Sequence, residues 1–338
     1  MTRWQRSAGL LTAAFVAAVG LAGCRGAQQG TADAGAGGGG GGGTHYTIAV
    51  IPKGTSQSFW KAVKAGADAA AAEAGNVTID WNGPAAETDV DGQIRIIQNA
   101  ISRRVSAIVL AACNANSAVR YVEQAQQQNI PVITIDSGIT PDISLAYLAT
   151  DNVKGGQVAA DALAELIGGK GKVGCIPFVK GAASSDQREQ GFRDGLKRHP
   201  DVELVRVLYS DADVSIAMDR AKSMMASVPD LAGIFAANQA SAEGAIQAVE
   251  QLGKAGKVKL VCFDASEAQI RALRAGTVQA LIVQDPFRMG YEGVRTALRA
   301  VRGERIEPRI IDTGVTKVTM ENIDTPEVQR LLNPEGVR

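Results

Sequence analysis

Histidine is almost missing from this chain: its 338 residues include two, His45 and His199. A catalytic triad built on imidazole, or a zinc site that uses it, has little to work with. Cysteine is scarce as well, at four, and no metal-ligand spacing is present. Cys24 lies in an N-terminal leader, which leaves Cys113, Cys175 and Cys262, an odd number that cannot pair completely within the chain. Cys175 and Cys262 sit inside strand-like apolar runs and read as buried small hydrophobes, whereas Cys113 falls in a strand-end loop where it can be exposed. There is no basic block, and 35 Lys and Arg balance 35 Asp and Glu. Nucleic acid is therefore not an expected partner. The Gly155-Gly156 pair has neither the G-x-G-x-x-G nor the G-x-x-x-x-G-K-[ST] spacing, so Asp151–Gly156 reads as cap and turn rather than a phosphate loop. No metal or other cofactor is expected.

What is present begins with a leader. Arg3 and Arg6 form a basic stretch, and Leu10–Val19 is apolar but short of the roughly 20 residues a spanning helix needs. Leu21-Ala22-Gly23-Cys24 then supplies small residues before a cysteine and resembles the lipobox of bacterial lipoproteins. Residues 1–23 read as a signal peptide and Cys24 as the lipidated residue. Residues 24–44, with an unbroken run from Gly37 to Gly43, read as a flexible tether. Lipid anchoring places the folded body in the periplasm or on the outer face of the cytoplasmic membrane.

From about His45 onward the length suggests two domains. Short β-branched runs alternate with alanine-rich amphipathic segments. Strands are predicted at 46–51, 77–81, 107–110, 131–135, 145–148, 172–176, 203–208, 233–236, 259–263 and 279–283, with helices among those between them at 59–74, 90–104, 119–128, 156–167 and 240–252. Such alternation implies βαβ units and parallel sheets. The pattern runs twice. Asn114 and Asp136 end successive strands in the first half, as Asn238 and Asp264 do in the second.

Ligands of open α/β sheets bind beyond the carboxyl ends of the strands. Asp136, Asn238, Asp264 and Gln284 all lie there, a set suited to hydrogen-bonding a neutral polyhydroxylated molecule. Either aspartate can instead cap a helix; Asp264, ahead of Ala265-Ser266-Glu267, is placed to do so. Ser56 or Ser58 is placed to cap the first helix. Phe59 and Trp60 are two of only 15 aromatics, and as helical neighbours at most one is expected wholly on the core face. Their rings serve either to stack on a sugar or to pack the core. Arg188 offers five donors, either to a ligand and the aspartates or to a surface pair with Glu189 or Asp194.

In order, Ser58-Phe59-Trp60, Ile130–Asp136, Thr150-Asp151-Asn152 with Gly155-Gly156, Arg188 with Gly191-Phe192, Ile234–Asn238, Phe263-Asp264 and Gln284 with Pro286 resemble the periplasmic ribose-binding protein family, the sugar-binding proteins of bacterial ABC importers. The resemblance implies an α/β type I periplasmic binding protein: two Rossmann-like lobes with parallel sheets, joined by a three-strand hinge. The N-terminal lobe would comprise residues 45–150 and 285–312, and the C-terminal lobe 151–284 and 313–338. Carried over by position, Phe59 and Trp60 stack on the sugar, Asp136 and Asp264 bind hydroxyls, and Arg188, Asn238 and Gln284 complete the set. This chain departs with Gln57 where ribose binders have Asn and Ser137 where they have Arg; no second-lobe aromatic is evident near Ala212, and Lys53 is an added donor. The implied function is capture of a monosaccharide by hinge closure and delivery to an ABC permease and its ATPase, by a monomer held to the membrane through its lipid alone. A sensor that presents a sugar or quorum signal to a chemoreceptor or histidine kinase is the nearest alternative. A glycosidase using Asp136 and Asp264 is a more distant one. A repressor of the same fold would need a DNA-reading helix-turn-helix where this chain has a leader.

Overall fold

The computed structural model describes residues 44–333. The residues read as signal peptide, lipidated Cys24 and tether, apart from Thr44, and the final residues 334–338 lie outside the described residues. The first half runs β1 (Tyr46–Ile51), α1 (Ser58–Ala74), β2 (Val77–Trp81), α2 (Val90–Ser102), β3 (Ala107–Leu110), α3 (Val119–Gln127), β4 (Val132–Ile135) and β5 (Ala146–Ala149). The second runs α4 (Asn152–Leu166), β6 (Gly171–Ile176), α5 (Ala183–Leu196), β7 (Val202–Val207), α6 (Val214–Ser227), β8 (Leu231–Ala236), α7 (Gln239–Gln251), β9 (Lys259–Phe263), α8 (Glu267–Arg274) and β10 (Ala280–Val283). The chain then adds α9 (Pro286–Val301), β11 (Ile310–Asp312), β12 (Thr316–Val318) and α10 (Pro326–Leu332).

Among the described residues these strands form two six-stranded sheets, ordered β11-β5-β4-β3-β1-β2 and β12-β10-β9-β8-β6-β7. Leave out β11 and β12 and the two orders are the same, so the repeat read from sequence is one topology used twice. Every pairing is parallel except that of β10 with β12. β3, β4 and β10 are buried at every residue, as strands covered by helices on both faces should be. The chain passes between the sheets three times: from β5 to α4, from β10 to α9, and from β11 to β12. α9 follows β10 in sequence yet packs on α1 and on β3, β4 and β5.

The helices approach closely through glycine. A Cβ at Gly290 of α9 would lie 1.9 Å from the Val63 carbonyl oxygen of α1, and one at Gly191 of α5 would lie 2.0 Å from the Val153 carbonyl oxygen of α4. Each sheet thus carries at least one helix pair whose spacing only glycine permits.

Most predicted strands fall within a residue or two of their observed ends. β11 and β12 are absent from the sequence reading because three residues are too few to show a period, and their pairing is set by the crossings. Cys113 is fully buried, not exposed, with its Sγ 3.6 Å from the Lys53 carbonyl oxygen. Burial pushes its thiol up to about 12.

Candidate functional site

β1 ends in Ile51, and Lys53 follows two residues later. The side chain is 3% exposed, and a buried ammonium is costly unless paired. Its Nζ lies 3.0 Å from Asp136 Oδ2 and 3.6 Å from Glu87 Oε2, and it donates to Ser184 Oγ at 3.1 Å. Burial pulls the Lys53 pKa down, but the Asp136 and Glu87 carboxylates outweigh it and the net shift is upward. Lys53 therefore stays an ammonium. Trp60 and Phe178 flank it, their ring centres 5.6 and 4.8 Å from Nζ.

Asp136 follows β4 and adopts a left-handed backbone, φ 55°. Asp264 follows β9 with φ 74°. Asp264 does not cap α8: Ser266 does, in a capping box with Gln269. The turn instead sends both Asp264 oxygens toward the cleft, where Oδ2 accepts from Gln239 N at 2.9 Å and Oδ1 from Gln284 Nε2 at 2.7 Å. Burial raises the Asp264 pKa, opposed by the nearby Arg188 charge and the Gln284 bond.

Arg188 is not a surface residue. It is 2% exposed; its Nε donates to Asn152 Oδ1 and one terminal nitrogen to the Ala237 carbonyl, both at 2.8 Å. The guanidinium lies 3.7 Å from the centre of the Phe263 ring and 4.0 Å from Asp136 Oδ1. Glu189 and Asp194, the alternative partners, pair with Arg193 and Lys197.

Phe59 and Trp60 are both buried, at 9% and 1%, where one was expected to be. They meet edge to face at 4.9 Å. The sequence argument fails because the first turn of α1 is covered on two sides, by its own sheet and by the second one. Gln239, at the start of α7, reaches across and accepts from Ser58 Oγ at 2.9 Å and from Phe59 N at 3.1 Å. Neither Ser56 nor Ser58 caps α1; this amide from the opposite sheet satisfies the helix end instead.

Lys53, Gln57, Phe59, Trp60, Asp136, Arg188, Asn238, Asp264 and Gln284, all singled out from sequence, converge on one cavity with about 210 Å³ of space between its lining atoms. Ser137 is not among the lining residues; its Oγ accepts from Ser184 N at 3.3 Å and so ties the two sheets together. Two lining residues escaped the sequence reading. Phe178, just past β6, is an aromatic from the second half, found at a different strand end from the Ala212 region searched, and the strand-end rule applied to β6 would have found it. Glu87 lies in an irregular loop between β2 and α2 and gave no signal. A larger groove, with about 1670 Å³ of space between its lining atoms, lies beside the cavity and shares Phe59, Gln239, Asp264 and Gln284 with it or its surrounding bonds, but lacks both buried cations.

The sequence matches the periplasmic binding protein domain over residues 48–305. The chain belongs to this family. It is 29% identical over 264 residues to the ribose import binding protein of Haemophilus influenzae, covering 78% of this chain and 88% of that one. Among solved structures it is similar to a carbohydrate transporter solute binding protein from Agrobacterium radiobacter in complex with D-arabinose, with 36% identity, a TM-score of 0.83, and coverage of 86% of this chain and 99% of that one. An ABC transporter solute binding protein from Agrobacterium vitis with bound D-fucose gives 38% identity, a TM-score of 0.83, and coverage of 85% and 99%. The two matched sheets are thus the two lobes of a type I periplasmic binding protein, and the cavity lies between them.

Proposed function

We propose that this periplasmic binding protein binds a monosaccharide between its lobes for an ABC importer. One observation carries the reading: the cavity is lined by three carboxylates, two cations and three aromatic rings drawn from both lobes, and it still holds unused acceptors. Glu87 Oε2 and Gln284 Oε1 are buried without a hydrogen-bond partner. Buried acceptors left unpaired are costly, so the ligand must bring O–H donors. Phe59, Trp60 and Phe178 offer faces for its C–H groups. Asp136, Asp264 and Glu87 accept from its hydroxyls, and Lys53, Arg188, Asn238 and Gln57 donate to them.

The mechanism is hinge closure. The ligand favours the closed form because it touches both lobes at once. Cross-cleft bonds already bind the lobes: Gln239 to α1, Lys53 to Ser184, and Ala115 N to the Gly181 carbonyl at 2.9 Å. The closed surface then presents the sugar to a permease and its ATPase. Lipidation at Cys24 would keep the protein beside that permease, outside the cytoplasm.

The test is a thermal-shift screen of the purified protein against D-arabinose, D-fucose, D-ribose, D-allose, D-tagatose and D-galactose, with nucleosides as controls. A sugar at 100 times its dissociation constant should add about 2.7 kcal/mol of stability. A shift with one or two sugars supports the reading. Shifts with nucleosides alone, or turnover of a glycoside, would replace it.

A further inference from the structure

We propose that Lys53 and Glu87 together read a single ligand hydroxyl, one acting on its oxygen and the other on its proton. The inference rests on the monosaccharide reading above and names the group by which the site selects its sugar. Lys53 carries three N–H bonds. One is donated to Ser184 Oγ at 3.1 Å, and Asp136 Oδ2 stands 3.0 Å from Nζ as its ion-pair partner. No other acceptor stands at hydrogen-bond distance among the described residues. Glu87 is 5% exposed; its Oε1 accepts the Trp60 indole N–H at 3.0 Å, which fixes the carboxylate plane. Its Oε2 has no hydrogen-bond partner and stands 3.6 Å from Lys53 Nζ. That separation is beyond hydrogen-bond length, so the direct pair leaves one donor and one acceptor side by side. Both residues line the cavity.

A hydroxyl placed between them accepts from Lys53 and donates to Glu87. No other common sugar substituent does both. A deoxy carbon does neither, and a methyl ether accepts without donating. The site should therefore discriminate strongly at one ring position and weakly at the positions where only one partner is offered. Gln in place of Glu87 keeps the size and the Trp60 bond but puts a donor where the acceptor was, so the hydroxyl can no longer serve both sides.

The experiment is isothermal titration of the protein and of Glu87→Gln with matched sugars: D-galactose and D-fucose, D-ribose and 2-deoxy-D-ribose, D-glucose and 2-deoxy-D-glucose, and the O-methyl ether of whichever hydroxyl proves critical. In the unaltered protein one deoxy position is expected to cost about 10- to 100-fold in affinity. In Glu87→Gln that penalty should shrink several-fold while penalties at other positions stay the same. A merely structural Glu87 would lower all affinities together and leave the ratios unmoved. Equal parent-to-deoxy ratios in the two proteins, with sugars still bound, overturn this inference alone. No binding of any sugar by the unaltered protein overturns the monosaccharide reading and this inference with it.

Discussion

The two lobes share a strand order and a pair of polar strand ends, yet they neutralise their aspartates in opposite ways. In the first, Asn114 Oδ1 accepts from Ser117 N at 3.0 Å and Asp136 takes the left-handed turn after β4. In the second, Asn238 Oδ1 accepts from Ser241 N at 2.8 Å and Asp264 takes the left-handed turn after β9. The backbone frame is the same. But Asp136 pairs directly with the ammonium of Lys53, whereas Asp264 is hydrogen-bonded by a backbone N–H and the Gln284 amide and feels the Arg188 charge without a direct ion pair. A repeated fold delivers carboxylates to equivalent places, and the neighbours decide whether each is a counter-ion or a polar acceptor.

The sharpest way to break this contrast is to remove each charge. Asp136→Asn leaves Lys53 buried with only the more distant Glu87 as counter-charge, and breaking a buried pair costs about 3–5 kcal/mol. Asp264→Asn removes a charge that burial already disfavours, and is expected to cost about 1–3 kcal/mol through its hydrogen bonds. Urea denaturation of the two variants without sugar measures both. Equal losses would mean that the lobes do not differ electrostatically in the way the contacts indicate.

The glycine-spaced helix pairs sharpen the likeness rather than the difference. Gly290→Ala in the first lobe and Gly191→Ala in the second each push a methyl group into a backbone carbonyl. Overpacking of this kind costs about 1–3 kcal/mol, and the two should be alike. Because α5 carries Arg188 and α1, against which Gly290 packs, carries Phe59 and Trp60, each substitution should weaken sugar binding as well. Denaturation paired with titration against the sugar found in the thermal screen separates the two effects.

Much of this was legible in the sequence. Strand-to-helix alternation and short apolar runs gave both sheets, polar residues just past those runs gave Asp136, Asn238, Asp264 and Gln284, and the family resemblance with its departures added Lys53, Gln57, Phe59, Trp60 and Arg188. What stayed hidden depends on contact across the cleft. Phe59 reads as half-exposed on an isolated helix and is buried because its own lobe and that of Gln239 both cover the first turn of α1. Glu87 comes from a loop with no period to place it, and its partners Trp60 and Lys53 are 27 and 34 residues away in sequence. Ser137, adjacent to Asp136, reads as a ligand contact, but the turn at Asp136 aims it at Ser184.

The pH dependence separates the lobes at opposite ends of the scale. The folded-state pKa of Asp264 is raised above its ordinary 3.8 by burial. Above 3.8 the unfolded chain loses a proton that the folded one keeps, so stability from this group falls as pH rises through that window. Asp264→Asn should flatten the slope. Lys53 has a raised pKa owing to Asp136 and Glu87, which outweigh burial. Its contribution is fully present below 10.5 and is lost as pH climbs through the folded value. Lys53→Met should abolish that alkaline loss. Thermal melts across the pH range, with and without each substitution, distinguish the two.

The smallest effect tests how the lobes are joined. Gln239 donates its backbone N–H to Asp264 Oδ2 in its own lobe and lends its side-chain carbonyl to the first turn of α1 in the other. It is a helix cap that exists only when the cleft is shut. Losing a cap costs about 1 kcal/mol. Gln239→Ala should therefore leave the intrinsic stability of each lobe almost untouched but reduce the closed population, and every sugar should then bind about fivefold more weakly by the same factor. That uniformity distinguishes a latch from a reader: a residue touching the ligand changes the ranking of sugars, whereas one that only holds the door changes their common scale. Titration of two sugars of different affinity decides it, and a change in their ratio would place Gln239 in the binding site instead.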